Sequence, residues 1–335
     1  MPSAISWGSA IALDVHSGEV FALANKPNYD ANDLNPKISA AVFQQITESG
    51  DWLNRAFQGV YPPASTFKII SAIAFLRHKI STWNGDDTTE CPGKTHIGTQ
   101  IFKCDQSTAH GTVDLQLAME KSCNVYYYLR SQACGIEKIA EEAKRFHLDQ
   151  KTGIDLPFES SRMIVPTPAW KRKKGYGPWF AGDTANAAIG QGYLLVSPLQ
   201  MACFMASIAA NRTQTIPHIL HDPGHRQDST QSIGLPASDY KKLIETLQKV
   251  VDTGTGKSAR LDEITLAGKS GTSQVWERGE RRNVAWFIGF APVDDPQIAV
   301  AIAVQEQTPQ DNYYGGKTAA PIARQIFDSY FKNKK

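Results

Sequence analysis

Three short strings in this 335-residue sequence carry side chains that could perform nucleophilic catalysis. In Ser65-Thr66-Phe67-Lys68 a hydroxyl and an amine stand three residues apart, which puts them on one face if the chain is helical from Ser65 onward. The run "STFKIISAIAFLRHKI" is apolar nearly all round, so Lys68 lies at the mouth of a buried helix. Desolvation there would lower its pKa and leave free amine to accept the Ser65 proton. Ser122-Cys123-Asn124 is the only Ser-x-Asn in the chain and falls where one helix-like run gives way to the next. Lys269-Ser270-Gly271-Thr272 lies in β-rich sequence, where Gly271 would let a ligand's backbone approach the strand closely.

Each string has a duller reading. Ser65, Ser122 and Asn124 are all common helix caps. Ser-x-x-Lys recurs at Ser238/Lys241 and Ser329/Lys332, on amphipathic helices where a solvated face accounts for it, and Lys151-Thr152-Gly153 reads as a connecting turn. Asp155 and Asp183 are better explained as turn or cap residues than as acids. Trp170, Trp179 and Trp276 divide between groove lining and plain packing, and of Tyr126, Tyr127 and Tyr128 at most one or two can approach a cleft.

A second cluster needs different chemistry. Cys91, Cys104, His110 and Cys123 are three soft thiols and an imidazole, the ligand set of a structural tetrahedral zinc. A Cys91 to Cys104 disulfide and free buried thiols are the alternatives, with His96 as a substitute ligand for Cys91. Cys134 and Cys203, in apolar helices, read as core, and an odd total of five excludes a fully paired disulfide framework.

The elements that must position these residues can be read in outline. "SAIALDVHSGEVFALANKP" is a hairpin of strands over Ala4 to Val15 and Glu19 to Asn25. An amphipathic helix is expected over Pro36 to Ala56, halted by Pro62 and Pro63. A polar, irregular segment runs from Asp86 to Gly111, followed by helices "VDLQLAMEKS", "NVYYYLRSQACG" and "IEKIAEEAKRFH". In "SPLQMACFMASIAAN" Ser197 is the cap, Pro198 the first helical residue and Asn211 the stop. A helix from Ala237 to about Val251 precedes three β-rich runs and a closing amphipathic helix, "AAPIARQIFDSYFK". Strands at both ends with helices between indicate a single α+β domain, with an all-helical subregion at about 66–252 and terminal strands sharing one central antiparallel sheet.

The composition, 41% hydrophobic and 20% charged, is that of a chain that can build a full core. A formal net charge of +2 is too small for a nucleic-acid footprint, and "KRKKG" at 171–175 reads as a solvated loop. No stretch approaches the roughly 18 consecutive apolar residues of a membrane span, and "MPSAISWGSA" lacks the zones of a signal peptide. The chain reads as soluble, as a fragment of an anchored protein would be.

The order Ser-x-x-Lys, Ser-x-Asn, Lys-Ser-Gly resembles that of the penicillin-recognising serine transferases. Together with "GEVFALANKPNYDAN", "NRAFQGVYPPASTFK", "TGIDLP", "GDTANAAIGQGYLLVSPLQMA" and "VAWFIGFAP", the chain looks over nearly its whole length like the transpeptidase domain of class B penicillin-binding proteins. The elongation-type subgroup, penicillin-binding protein 2, is most similar. Asn124 stands where that subgroup often has Asp, and Ser270 where the wider family usually has Thr. The resemblance implies the penicillin-binding and serine β-lactamase-like fold, a missing anchor helix and pedestal, and residence on the extracytoplasmic, periplasmic face of the inner membrane.

It also implies an activity. Ser65 would attack the carbonyl of a peptidoglycan stem's D-Ala-D-Ala bond, Lys68 would accept the proton, and Ser122 would pass a proton to the departing nitrogen. Asn124 would hold a donor carbonyl. Lys269, Ser270 and Thr272 would take the terminal carboxylate, with Lys269 also disfavouring protonation of Lys68, and the backbone N–H groups of Ser65 and Thr272 would form the oxyanion hole. An amine acceptor then releases the acyl group. No cofactor is required beyond the possible structural zinc. Stem peptides, β-lactams and elongation-machinery membrane proteins are the implied partners, with no nucleic acid. A β-lactam sensor and a carboxypeptidase or β-lactamase share the same strings, although no separate loop carboxylate stands ready to activate water.

Overall fold

The computed structural model describes residues 7–221, 227, 231–277, 279–308 and 310–334. The chain enters as an antiparallel hairpin, β1 (Gly8–Asp14) and β2 (Val20–Lys26). The hairpin is shorter than expected, and residues 4–6 of the anticipated first strand lie outside the described residues. The long helix anticipated from Pro36 to Ala56 is only α1 (Ala40–Ser49), because Gly50 turns left-handed and ends it. After a 3-10 turn at Ala64–Phe67 comes α2 (Lys68–Arg77), buried from Lys68 through Leu76.

The segment anticipated as irregular contains four short strands: β3 (Thr89–Cys91), β4 (Lys94–Ile97), β5 (Gln100–Lys103) and β6 (Gly111–Val113). They pair as β3 with β6 and β4 with β5, so the expected helical subregion includes two small sheets. Six helices follow: α3 (Leu115–Glu120), α4 (Asn124–Cys134), α5 (Ile136–Arg145), α6 (Pro168–Lys173), α7 (Ala181–Ala188) and α8 (Pro198–Ala209). Next are α9 (Ala237–Asp252), β7 (Ala267–Glu277), β8 (Glu280–Ala291), β9 (Ile298–Gln305) and α10 (Ala320–Lys332).

The central sheet is antiparallel in the order β2-β1-β9-β8-β7, so the first strand pairs with the last, as the sequence led us to expect. The two-residue period of its strands sorts side chains onto two layers. Ile11, Leu13, Trp286 and Ile288 face the helical lobe, where α8 packs on β1 and β9. Ala10, Ala12, Phe287 and Ile302 face α10. Helix α8 is buried along its whole length; Ser197 and Gln200 cap it reciprocally, Pro198 opens it and Asn211 beyond its end is left-handed. The expected helix stop is therefore observed.

Trp286 ties the sheet to the start of α2. Its ring is fully buried and its indole N–H donates to the Pro62 carbonyl at 3.0 Å, three residues before Ser65. Trp286→Phe keeps an aromatic filler but leaves that carbonyl without its donor. We expect it to lower unfolding stability by about 1–3 kcal/mol, read from the denaturant midpoint at unchanged slope.

Candidate active site

The approach to Ser65 is fixed before any helix begins. Ala64 takes a left-handed φ of 55°, an uncommon conformation for a residue with a Cβ, and its N–H donates to the Gly190 carbonyl at 2.9 Å. Thr66 Oγ1 closes the turn by donating to the Pro63 carbonyl at 2.6 Å. Because Ser65 lies in 3-10 geometry, the side chains of Ser65 and Lys68 project to the same side. Ser65 is not an α-helix cap.

The buried Lys68 Nζ is held by the 122–124 segment rather than by Ser65. It donates to the Ser122 carbonyl at 2.8 Å, to Ser122 Oγ at 3.2 Å and to Asn124 Oδ1 at 2.6 Å. This departs from the direct Ser65–Lys68 contact expected, and the reason is plain: a desolvated ammonium takes the acceptors that satisfy all three of its protons. The cap reading of Ser122 and Asn124 also falls. Ser122 is left-handed at φ 57° between α3 and α4, and Cys123, without a side-chain cap bond, occupies the N-cap position. The turn at Ser122 directs its carbonyl and its hydroxyl at the same amine.

Lys269 approaches from the other side. It is fully buried on β7, and its Nζ donates to Ser122 Oγ at 3.0 Å and to the Ser270 carbonyl at 3.0 Å. One hydroxyl thus bridges two amines. Burial lowers Lys68 to about 8, against the opposing charges of Cys123, Cys104 and Asp105. Burial pushes Lys269 further below its ordinary value, and the neighbouring Lys68 adds to the shift. Both shifts run against the fully charged pair, so each amine opposes protonation of the other, as the sequence suggested for Lys269 on Lys68.

Gly271 explains why β7 can lie so near Ser65. A Cβ at that position would stand 3.0 Å from the Ser65 nitrogen and 3.2 Å from that of Thr66. Behind it, a Cβ on Gly315 would stand 2.3 Å from the Gly271 carbonyl oxygen, so two glycines let three backbone segments stack at the site. Thr272 Oγ1 accepts from the Gly315 N–H at 3.1 Å and keeps its own proton available, while Ser270 Oγ donates to Thr255 Oγ1 at 2.8 Å.

These pieces converge on one cleft of about 640 Å³. Ser65, Ser122, Asn124, Ser270, Gly271 and Thr272 line it, with Lys68 and Lys269 behind them. Across residues 8–328 the sequence matches the penicillin-binding protein transpeptidase domain. The chain belongs to that family. It is 31% identical to the peptidoglycan D,D-transpeptidase MrdA of Acinetobacter baumannii over 98% of its own length and 51% of the relative's. The Haemophilus influenzae MrdA is also 31% identical, again over 98% of this chain and 53% of the relative. The chain therefore spans about half the length of the curated relatives it matches. Among solved structures, Pseudomonas aeruginosa PBP2 in complex with WCK 5153 superposes with a TM-score of 0.85 at 29% identity, covering 97% of this chain and 74% of that one. Helicobacter pylori PBP2 in complex with MreC gives 0.83 at 28%, covering 97% and 61%.

The decoys lie elsewhere. Ser238, Lys241, Ser329 and Lys332 are exposed on α9 and α10, and Thr152 donates to Glu159 in a turn. Asp183 caps α7 and Asp155 accepts two loop N–H groups, as turn and cap residues should. Trp276 is exposed at the end of β7, and of the three tyrosines only Tyr128 lines the cleft. Sequence reasoning missed Thr255, Tyr314, Gly315 and Lys317 in this transpeptidase cleft; the paired glycines at 315 and 316 were the available signal. It also misjudged Lys171, which is buried and paired with Asp183 at 2.6 Å rather than solvated.

Behind Ser122, the Sγ atoms of Cys91, Cys104 and Cys123 and a ring nitrogen of His110 lie within 4.8 Å of one another. A tetrahedral zinc with bonds of about 2.3 Å to sulfur separates its sulfurs by about 3.8 Å, so the set fits that ion. His110 Nδ1 stands 3.5 Å from Cys91 Sγ and 3.4 Å from Cys104 Sγ, and the Asn124 N–H donates to Cys104 Sγ at 3.2 Å. The Cys104 thiol is held down to about 4, chiefly by a hydrogen bond from Cys123, whose own thiol is pushed up in return. All five cysteines are free, so the expected alternative of a Cys91 to Cys104 disulfide is absent, and His96 lies exposed on β4 rather than in the cluster.

A Lys68 that serves as the base for acylation by a penicillin must be the free amine, so with that role the second-order rate should climb about tenfold per pH unit below about 8 and level off above it. A stopped-flow pH profile checks this; an inflection near the ordinary 10.5 would show that burial does not set the base.

Proposed function

We propose that this chain is the D,D-transpeptidase domain of an elongation-type penicillin-binding protein, crosslinking peptidoglycan stems through an acyl-serine intermediate. The observation that carries the reading is Ser122 Oγ bridging Lys68 and Lys269 at 3.2 and 3.0 Å beside Ser65. In this mechanism Ser65 Oγ attacks the carbonyl carbon of the D-Ala-D-Ala bond, and Lys68 Nζ takes its proton. That proton passes through Ser122 to the departing D-Ala nitrogen as the C–N bond breaks. The oxyanion sits between the N–H groups of Ser65 and Thr272, a donor pair whose members are each worth about 3 kcal/mol in comparable sites.

Lys269, Ser270 and Thr272 receive the terminal carboxylate, whose negative charge favours the protonated Lys269 against the burial that lowers it. Asn124, with its oxygen on Lys68, offers its amide N–H groups to a donor carbonyl. The acyl group then passes to an amine of a second stem. β-Lactams enter as mimics of the donor and leave slowly.

The relatives support a setting for the whole protein. A Helicobacter pylori relative is known in complex with MreC, and membrane proteins of the elongation machinery are the partners we assign to the whole protein. No helix among the described residues is long and apolar enough to cross a membrane. We place the domain on the extracytoplasmic, periplasmic face of the inner membrane, with anchor and pedestal as separate segments.

We assign zinc to Cys91, Cys104, His110 and Cys123. Its role is structural: it would join the β3–β6 strands to the turn that carries Ser122, and no step of the chemistry passes through it.

Two measurements test these assignments. Fluorescent penicillin followed by peptide mass spectrometry should place a long-lived adduct on Ser65, and Ser65→Ala should abolish it; an adduct lost within minutes would instead indicate a hydrolase. Elemental analysis should find one zinc per chain. Cys104→Ser should remove it and lower the melting temperature by at least about 5 °C, since metal binding energy is folding energy here.

A further inference from the structure

Beside the cleft lies a cluster of aromatic and basic side chains that the chemistry above does not use. Helix α6 and the loop after it carry Trp170, Tyr176 and Phe180, and Tyr193 follows directly on Gly192, which lines the cleft. The rings form a layer: Tyr176 and Tyr193 stack with centroids 5.5 Å apart at 10°, and Trp170 closes on them at 5.8 and 5.4 Å. Tyr176 and Phe180 nevertheless remain 55% and 62% exposed. Neither the Tyr176 nor the Tyr193 hydroxyl has a hydrogen-bond partner among the described residues.

The layer is held from beneath. Buried Lys171 pairs with Asp183 at 2.6 Å, and its Nζ lies 5.1 Å from the Phe180 ring centroid, 5.5 Å from that of Tyr193 and 5.9 Å from that of Trp179. Asp183 also accepts from the Phe180 N–H at 2.8 Å, and the Trp179 indole donates to Thr184 Oγ1 at 2.8 Å. Rings fixed in this way lose little further freedom when a ligand covers them. Arg172, Lys173 and Lys174, which follow Lys171, are exposed, and none is in an ion pair with a described residue.

We propose that this layer, with Arg172, Lys173 and Lys174, is a docking surface for the glycan chain of peptidoglycan, to which the stems are attached. The proposal rests on the transpeptidase reading above. A saturated sugar ring offers a flat C–H face to an open aromatic ring and hydroxyls to the polar groups at its edge, and the exposed cations suit a chain that carries carboxylates. Reach agrees. A Cβ on Gly190 would stand 2.1 Å from the Ala64 carbonyl oxygen, next to Ser65. Tyr193, three residues on from Gly190, is at most about 11 Å further along the chain, whereas an extended stem of about five residues spans about 17 Å. The sugar end of a stem bound at Ser65 can therefore lie on the layer. Among the large apolar side chains of residues 167–193 only Tyr176 and Phe180 are exposed, too little to seat the patch in a bilayer.

The test titrates this chain with glycan chains stripped of their stems by an amidase, which leaves a carboxylate on every other sugar, and reads the heat of binding. Saturable binding is expected, weakened about tenfold by Tyr176→Ala and kept within about twofold by Tyr176→Phe, which retains the ring. Arg172→Gln, Lys173→Gln and Lys174→Gln together should weaken it about fivefold and flatten its dependence on salt. None of these positions lines the catalytic cleft, so acylation by fluorescent penicillin should stay within about twofold of the parent, which also reports that each variant is folded. No saturable binding, binding unchanged by Tyr176→Ala, or tighter binding of phosphatidylglycerol vesicles than of glycan would overturn the surface. Failure of penicillin to label Ser65 in the parent would instead remove the transpeptidase reading, and the glycan titration is read separately from it.

Discussion

Two fully buried amines sharing one hydroxyl is the constraint around which this fold is arranged. Lys68 and Lys269 would each be cheaper in water, and neither has a carboxylate among its hydrogen-bond partners. What holds them is a set of neutral oxygens: the carbonyls of Ser122 and Ser270, the Ser122 hydroxyl and the Asn124 amide. Such a site works only if both walls are rigid, because withdrawing one oxygen would strand an ammonium in a dry interior. The rigidity comes from α2, buried along its length, and from β7, paired with β8 over eleven positions.

Strain marks the same places. Of the eight described residues with a Cβ that are left-handed, two lie here: Ala64 directly before Ser65, and Ser122 at the bridging hydroxyl. Each such conformation costs on the order of 1 kcal/mol and persists only where surrounding contacts over-determine it. Ala64 is pinned by Gly190 and Ser122 by Lys68, so the unfavourable backbone and the desolvated amine support each other. Relaxing the turn at 122 would cost Lys68 two of its acceptors.

How much of this could be read from the residues depended on how local the cause was. The β1–β2 hairpin, the cap and stop of α8 and the three catalytic strings were legible because turn residues, a Ser-x-x-Gln box and short spacings act within a few positions. Strands β3 to β6 were not, since three or four residues give too little alternation to read. Lys171 misled because its partner is Asp183, twelve residues on, and a charge run conceals a buried member. Thr255 and Gly315 escaped because only tertiary packing brings them to β7, and the preference of Lys68 for Ser122 over Ser65 escaped because its acceptors lie more than fifty residues away.

The thiol cluster and the amine pair meet in three consecutive residues. Ser122 serves both lysines, Cys123 turns away into the cluster, and Asn124 does both at once: its N–H donates to Cys104 Sγ while its side chain accepts from Lys68. The cluster is thereby coupled mechanically to the base. It is coupled electrostatically as well, since the negative charge at the thiols opposes the desolvation that lowers Lys68. An ion held by these four side chains would therefore stiffen the wall that carries Ser122, because Asn124 and Cys123 join the cluster to the same turn.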